Sequence, residues 1–352
     1  MTRIPLLLLT LALVSSPLQA GDRAATPLEN GVLFRVVDPE KILRLDKPGF
    51  VSAALAQGFM GEFEPVIGVV DGDAAKAYGV WFMDGYSVIN DVIGKRPIVV
   101  TWSPFTYSDM VWSRVVDGDT LVFDDSGELW KDALVMVDRK TNSRWSHLEG
   151  RALDGPMKGK RLARVLSTYT RWGKWRSLYP QTVCLTKLGR EIDASDFGNY
   201  YQREEQLGPA NSQNPDSRLA GKELVCGFEI GGKRVVVPLY ALVDNKQMRI
   251  DVDGVSVELE FDHLAETAVV YSCKLGGRPI DLVRLDFGKG ESYLKDKETG
   301  TMWLTYSGQG VSGPRADVPL ERIPSTLCFW FSWAAHFPLS SIWEQPGVAP
   351  KP

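Results

Sequence analysis

Histidine is scarce in this chain. There are three in 352 residues, His147, His263 and His336, in separate segments and never at the i, i+4 spacing that sets two imidazoles on one helix face. A classical zinc site is therefore not expected. The four cysteines, Cys184, Cys226, Cys273 and Cys328, include no C-x-x-C pair, which removes the usual redox and zinc patterns. No G-x-S-x-G elbow occurs, and "DDSGE" (Asp124–Glu128) reads as a turn in which Asp and Ser bond their own backbone. "GGKR" and "GKGES" lack the strand–helix setting of a phosphate loop. Cationic excess is missing too: 40 Lys and Arg stand against 44 Asp and Glu, a net charge of −4, which argues against nucleic acid or an anionic membrane as partner. No apolar run approaches the roughly 20 residues that span a bilayer.

The one clearly apolar stretch lies at the N-terminus. Arg3, the run Ile4–Val14 and "SSPLQA" (Ser15–Ala20) have the order of a signal peptide, with cleavage expected before Gly21. The expectation is an exported, soluble protein, periplasmic or secreted, without a transmembrane segment in its mature part. In that compartment one or two disulfides among the four cysteines are expected, with three connectivities open. A 44% hydrophobic content and eleven Trp supply a large core.

A turn-rich phrase occurs twice. "DRKTNSRWSHLEGRALDGP" (Asp138–Pro156) lies 158 residues before "DKETGTMWLTYSGQGVSGP" (Asp296–Pro314), so that Trp145 falls on Trp303 and Gly155-Pro156 on Gly313-Pro314. The register holds onward: "RVLSTYTRWGKWRSLYP" overlies "RIPSTLCFWFSWAAHFP". Upstream, "EPVIGVVDG" meets "ELVCGFEIG" after a slip of one residue. The period exceeds that of solenoid repeats, so each copy is domain-sized. We expect an internal duplication. Residues 1–20 are the signal peptide, 21–61 an extension, 62–187 a first lobe, 188–220 a polar linker, 221–344 a second lobe and 345–352 a tail.

Within a copy, short β-branched and alternating runs are separated by Asp-Gly, Gly-Lys and Thr-Asn turns, which predicts strands and hairpins. Trp172, Trp175 and Leu178 at i, i+3, i+6 predict a closing helix with its aromatics inward. A second short helix is expected within "DAAKAYGVWFMDGYSVIND". The fold class is mainly β with short helices, in two similar lobes.

"PVIGVVDGDAAKAYGVWFMDGYSVINDVIGKRPIVVTWSPFTYS", "VVDGDTLVFDDSGELWKDALVMVDRKTNSRWSHLEGRALDGPMKGKRL" and "FWFSWAAHFP" together resemble the bacterial domain-of-unknown-function family 3179, over roughly 62–340. The resemblance implies a fold and export, and no reaction. In the family, the segment before Asn-Asp reads His-Glu-Ile-Val; here it is "YSVIND", with Tyr86 and Ser87. The family's Cys-Pro-Leu-Cys is "SPFT" here, with Ser103 and Thr106. His, Glu and two Cys would suit a soft metal or redox centre. This chain has none of the four, so no metal and no cofactor are expected. Tyr86, Asn90, Asp91, Ser103, Thr106 and Trp145 become candidate ligand-binding residues around that position.

For catalysis, His147 stands where the family commonly has Gln and is the candidate general base, with Asp109 and Asp138 as candidate carboxylates. By the repeat, His263 overlies Pro104, and His336 reads as structural. The leading expectation is a cell-envelope protein that binds a ligand or protein partner in an aromatic-lined groove between the lobes. A secreted hydrolase using His147 is the alternative, and a metal-handling protein the third.

Overall fold

The computed structural model describes residues 25–28, 31–190, 192, 194–243, 246–288 and 291–343. The signal segment expected at 1–20 and the tail at 345–352 lie outside the described residues. The chain is mostly β-strand with short helices, as its composition and turn spacing predict.

Pairings recur in the same order in the two halves. In the first, Pro65–Asp71 pairs antiparallel with Ser167–Arg171 and with Ala74–Gly79, and Val183–Leu185 joins Ala74–Gly79 in parallel. In the second, Leu224–Ile230 pairs antiparallel with Ser325–Phe329 and Lys233–Pro238, and Ser341–Ile342 joins Lys233–Pro238 in parallel. Each half adds a meander, Val88–Ile93, Arg96–Ser103 and Ser108–Ser113 against Gln247–Val252, Val255–Asp262 and Thr267–Ser272. Packing between the halves is reciprocal. Ser108–Ser113 lies against Ser325–Phe329, and the corresponding Thr267–Ser272 lies against Ser167–Arg171. That is the contact pattern of an approximate two-fold arrangement.

The repeated phrase is a hairpin whose turn is tied by one carboxylate. Asp138 accepts from Thr141 N at 2.6 Å and Thr141 Oγ1 at 2.7 Å, and Asp296 accepts from Thr299 N at 3.0 Å and Oγ1 at 2.6 Å. Asn142 and Gly300 then take positive φ, 57° and 70°, which Asn and Gly tolerate best. The closing helices Trp172–Leu178 and Trp330–His336 press a Trp onto a glycine of the central strand. A Cβ on Gly68 would lie 2.2 Å from the Trp175 ring, and one on Gly227 2.3 Å from Trp333. No other residue fits there.

The largest apolar cluster is continuous through both halves, joining Tyr78 and Trp102 to Phe228 and Phe261. The polar segment 188–220 contributes to this union. Tyr200 Oη donates to Phe105 O at 2.8 Å, and Tyr201 packs edge-on against Tyr107 and Phe329.

The expected disulfides are not formed: all four cysteines are free and buried. Cys226 and Cys328 lie on adjacent strands, but Cys226 pairs with Leu327 and Cys328 with Val225. The one-residue offset turns the two thiols to opposite faces of the sheet. Burial pushes the Cys184, Cys226 and Cys273 thiols up to about 12, so none is a thiolate at neutral pH.

Burial also lifts carboxyls. Asp132, with φ 62° and a hydrogen bond to Ser212, is pushed up to about 6 from 3.8, and its Oδ1 has no hydrogen-bond partner among the described residues. Between those values the native state binds the extra proton, so this group's contribution to stability falls as pH rises through the window. The buried histidines act in the opposite sense, since their pKa values are lowered. Comparison with a variant isolates the carboxyl. Asp132→Asn, which tolerates the left-handed backbone, is expected to match the parent near pH 4 and to exceed it by about 2 kcal/mol above pH 7. Urea melts at the two pH values check this; a constant difference would refute it.

Candidate functional site

The strands Arg96–Ser103 and Ser108–Ser113 meet at the tight turn Pro104–Thr106, with Tyr107 at φ 50°. This is the "SPFT" position, and His147 lies against it. His147 Nδ1 is 2.6 Å from Thr101 Oγ1, and Nε2 is 2.9 Å from Ser108 Oγ, which is 2.7 Å from Thr106 Oγ1. Proton directions follow from the end of the chain. Thr101 Oγ1 donates to Met110 O at 3.1 Å, so it must accept from His147 Nδ1–H. Nε2 then accepts from Ser108, whose hydroxyl also contacts Thr106, and Thr106 Oγ1 lies 3.3 Å from Ser103 O as well. The spacing is that of a serine–histidine pair, but Thr101, Thr106, Ser108 and His147 have no exposed surface and the orienting group is a neutral hydroxyl. Burial, then Arg164 and His336, hold the His147 pKa well below the ordinary imidazole range.

The other candidate residues are dispersed. Ser103 Oγ accepts from Leu134 N at 3.2 Å, beside the same turn. Asp109, next to Ser108, points to the other face of its strand, accepting from Ser167 Oγ at 3.0 Å and Thr326 Oγ1 at 3.3 Å. Asp138 and Trp145 are together, Trp145 Nε1 donating to Asp138 at 3.0 Å within the hairpin. Asn90 clamps Phe123 through its backbone N and O. Asp91 accepts from Lys76 and Tyr78, each at 2.7 Å. Tyr86 stacks on Phe82 at 4.6 Å. The exposed His263 is not part of any of these groups. Among the described residues no group of three or more His, Cys, Asp and Glu side chains is arranged to hold a metal ion.

The segment after His147 forms one wall of a groove between the halves. Trp112 Nε1 donates to His147 O at 3.0 Å, and Trp112, Leu148 and Glu149 face Phe228, Trp333 and Phe337 of the second half across a cavity of about 410 Å³. Glu149, Arg161 and His336 are shared with an adjoining cavity of about 570 Å³ beside Trp130, Lys131 and Arg151. His336, at the end of the second closing helix, is 6% exposed, and its Nε2 has no hydrogen-bond partner among the described residues. The ring packs edge-on against Trp130 at 5.2 Å. Five cations and two carboxylates line the two cavities.

A family model described as a protein of unknown function, DUF3179, matches residues 39–340. The chain belongs to this family. No curated protein and no solved structure matches it. The DUF3179 match covers both halves, the segment between them and the strand Phe50–Ser52 that edges the first sheet.

In this DUF3179 protein the sequence nominates residues around Ser103 and Thr106 for ligand binding and His147 as a base, and His336 reads as structural. The structure places a closed hydrogen-bond relay at that position and leaves His336 buried with an unpaired Nε2. The signal was faint: a single His in an aromatic helix, far in sequence from Arg151 and Arg161.

Proposed function

We propose that this chain is an exported cell-envelope protein that holds a small ligand in the groove between its two halves, without a metal centre. The carrying observation is the buried, unpartnered Nε2 of His336 in the wall of a cavity lined by both halves. An unpaired buried polar atom costs free energy in the free protein, which a ligand donor recovers on binding. The reciprocal pairings support descent from a doubled β-unit, whose junction becomes the groove. Export is supported by Arg3 and the apolar run that follows it. The hydrolase alternative has the Ser108–His147 spacing in its favour, but both residues are sealed in the core.

Trp112 and Trp333 report on the groove. Titrating saccharides, amino acids and short peptides against intrinsic fluorescence is expected to yield a ligand that shifts their emission. Pro324→Trp, an exposed position at the groove, is expected to abolish that response while the far-ultraviolet dichroism is unchanged. A panel without a response, or a response that survives Pro324→Trp, would overturn the groove as the site.

A further inference from the structure

The groove leaves open two kinds of hydrogen-bonding atom, and together they define a ligand class. His336 Nδ1 lies 2.9 Å from Ser332 O. A carbonyl only accepts, so Nδ1 carries the proton. Burial holds the ring pKa down to about 3, against a weaker opposing effect of that carbonyl, so the ring is neutral. Nε2 is therefore a bare lone pair, buried in a side chain that lines both cavities, and it requires a hydroxyl or N–H donor.

The cations beside it are unequally engaged. Arg151 pairs with Glu149 at 3.1 Å and Arg234 with Glu229 at 3.0 Å. Arg161 and Lys131 meet no carboxylate within ion-pair distance among the described residues, although Lys131 lies over the Trp130 ring at 4.3 Å. Both line the cavity next to His336. Two cations without a carboxylate partner and one unpaired acceptor belong to residues of that cavity, and Arg161 and His336 also line the adjoining one, whose walls carry Trp112, Leu148 and Trp333.

Resting on the groove reading, we propose that the ligand is a hydroxylated carboxylate, an acidic saccharide of about two sugar units, with a hydroxyl donating to His336 Nε2 and its carboxylate accepting from Arg161 and Lys131. A guanidinium matches a carboxylate bidentately. The apolar face of a pyranose ring suits the indole and leucine walls. Fully ionised sulfate offers no donor to Nε2, a neutral sugar leaves the two cations unmatched, and a plain dicarboxylate leaves Nε2 bare.

Calorimetric titration of the intact protein with digalacturonate, maltose and adipate separates these. Maltose keeps the size and hydroxyls without the carboxylate; adipate keeps carboxylates without hydroxyls. Digalacturonate is expected to bind roughly tenfold or more tightly than either. Arg161→Gln, at an exposed position, and His336→Phe are each expected to remove about that preference. Where His336→Phe fails to fold, Arg161→Gln alone carries the test. Equal binding of maltose or adipate, or an unchanged preference in Arg161→Gln, overturns the acidic-saccharide assignment. Failure of all three to bind, while the fluorescence panel finds another groove ligand sensitive to Pro324→Trp, overturns the assignment and leaves the groove standing. Silence in both experiments removes the groove as well.

Discussion

Replacing His147 with alanine is expected to lower stability by about 3 to 4 kcal/mol, and replacing it with glutamine by about 1. The alanine variant removes a fully buried ring and leaves a cavity. It also breaks the contacts to Thr101 and Ser108, although each hydroxyl keeps its second partner, Met110 O and Thr106. Glutamine supplies one donor and one acceptor and fills much of the volume. The measurement is the urea midpoint of both variants. Because the relay is closed, ligand binding in the groove is expected to persist in His147→Gln. An alanine variant as stable as the parent would show that the relay contributes nothing. Loss of binding in a folded His147→Gln would return this residue to the functional site.

Lys187→Met is expected to cost about 3 to 5 kcal/mol. The Lys187 ammonium is 3% exposed and fully engaged. It donates to Glu64 Oε2 at 2.7 Å, Phe59 O at 2.9 Å and Ile192 O at 2.6 Å. Removing it strands two carbonyls and a carboxylate that is 1% exposed. Burial raises the Glu64 pKa, with Lys187 opposing that rise, so the carboxyl in the variant would take up a proton more readily. The double variant Lys187→Met, Glu64→Leu is expected to recover much of the loss, since a buried pair replaced by apolar groups is often neutral. Chemical denaturation of the three variants decides it: a double variant no more stable than Lys187→Met would mean that the stranded carboxylate is not the source of the cost.

Local chemistry made most of the scaffold legible. Asp138 and Asp296 stand four residues before an Asn or Gly that closes the same turn, and such a turn needs only nearby atoms. Trp172 and Trp175 declare a helix through their spacing. The inter-strand offset of Cys226 and Cys328 was invisible, because one residue of register decides whether two thiols share a face. His147 was misleading for a related reason. A histidine beside serine and threonine is chemically the same on paper whether its ring meets solvent or a sealed core.

The sequence alone determined the mainly β class, the hairpin turns, the two aromatic closing helices and the family, because these depend on contacts within a few residues or on patterns along the chain. Only the tertiary structure decided which buried histidine keeps an unpaired ring nitrogen. Nδ1 of His336 is occupied by its own helix. The residues that line the cavity beside it, Glu149 and Arg161 among them, come from segments far away along the chain. Burial and hydrogen-bond satisfaction are properties of such packed neighbours, and no stretch of sequence carries them by itself.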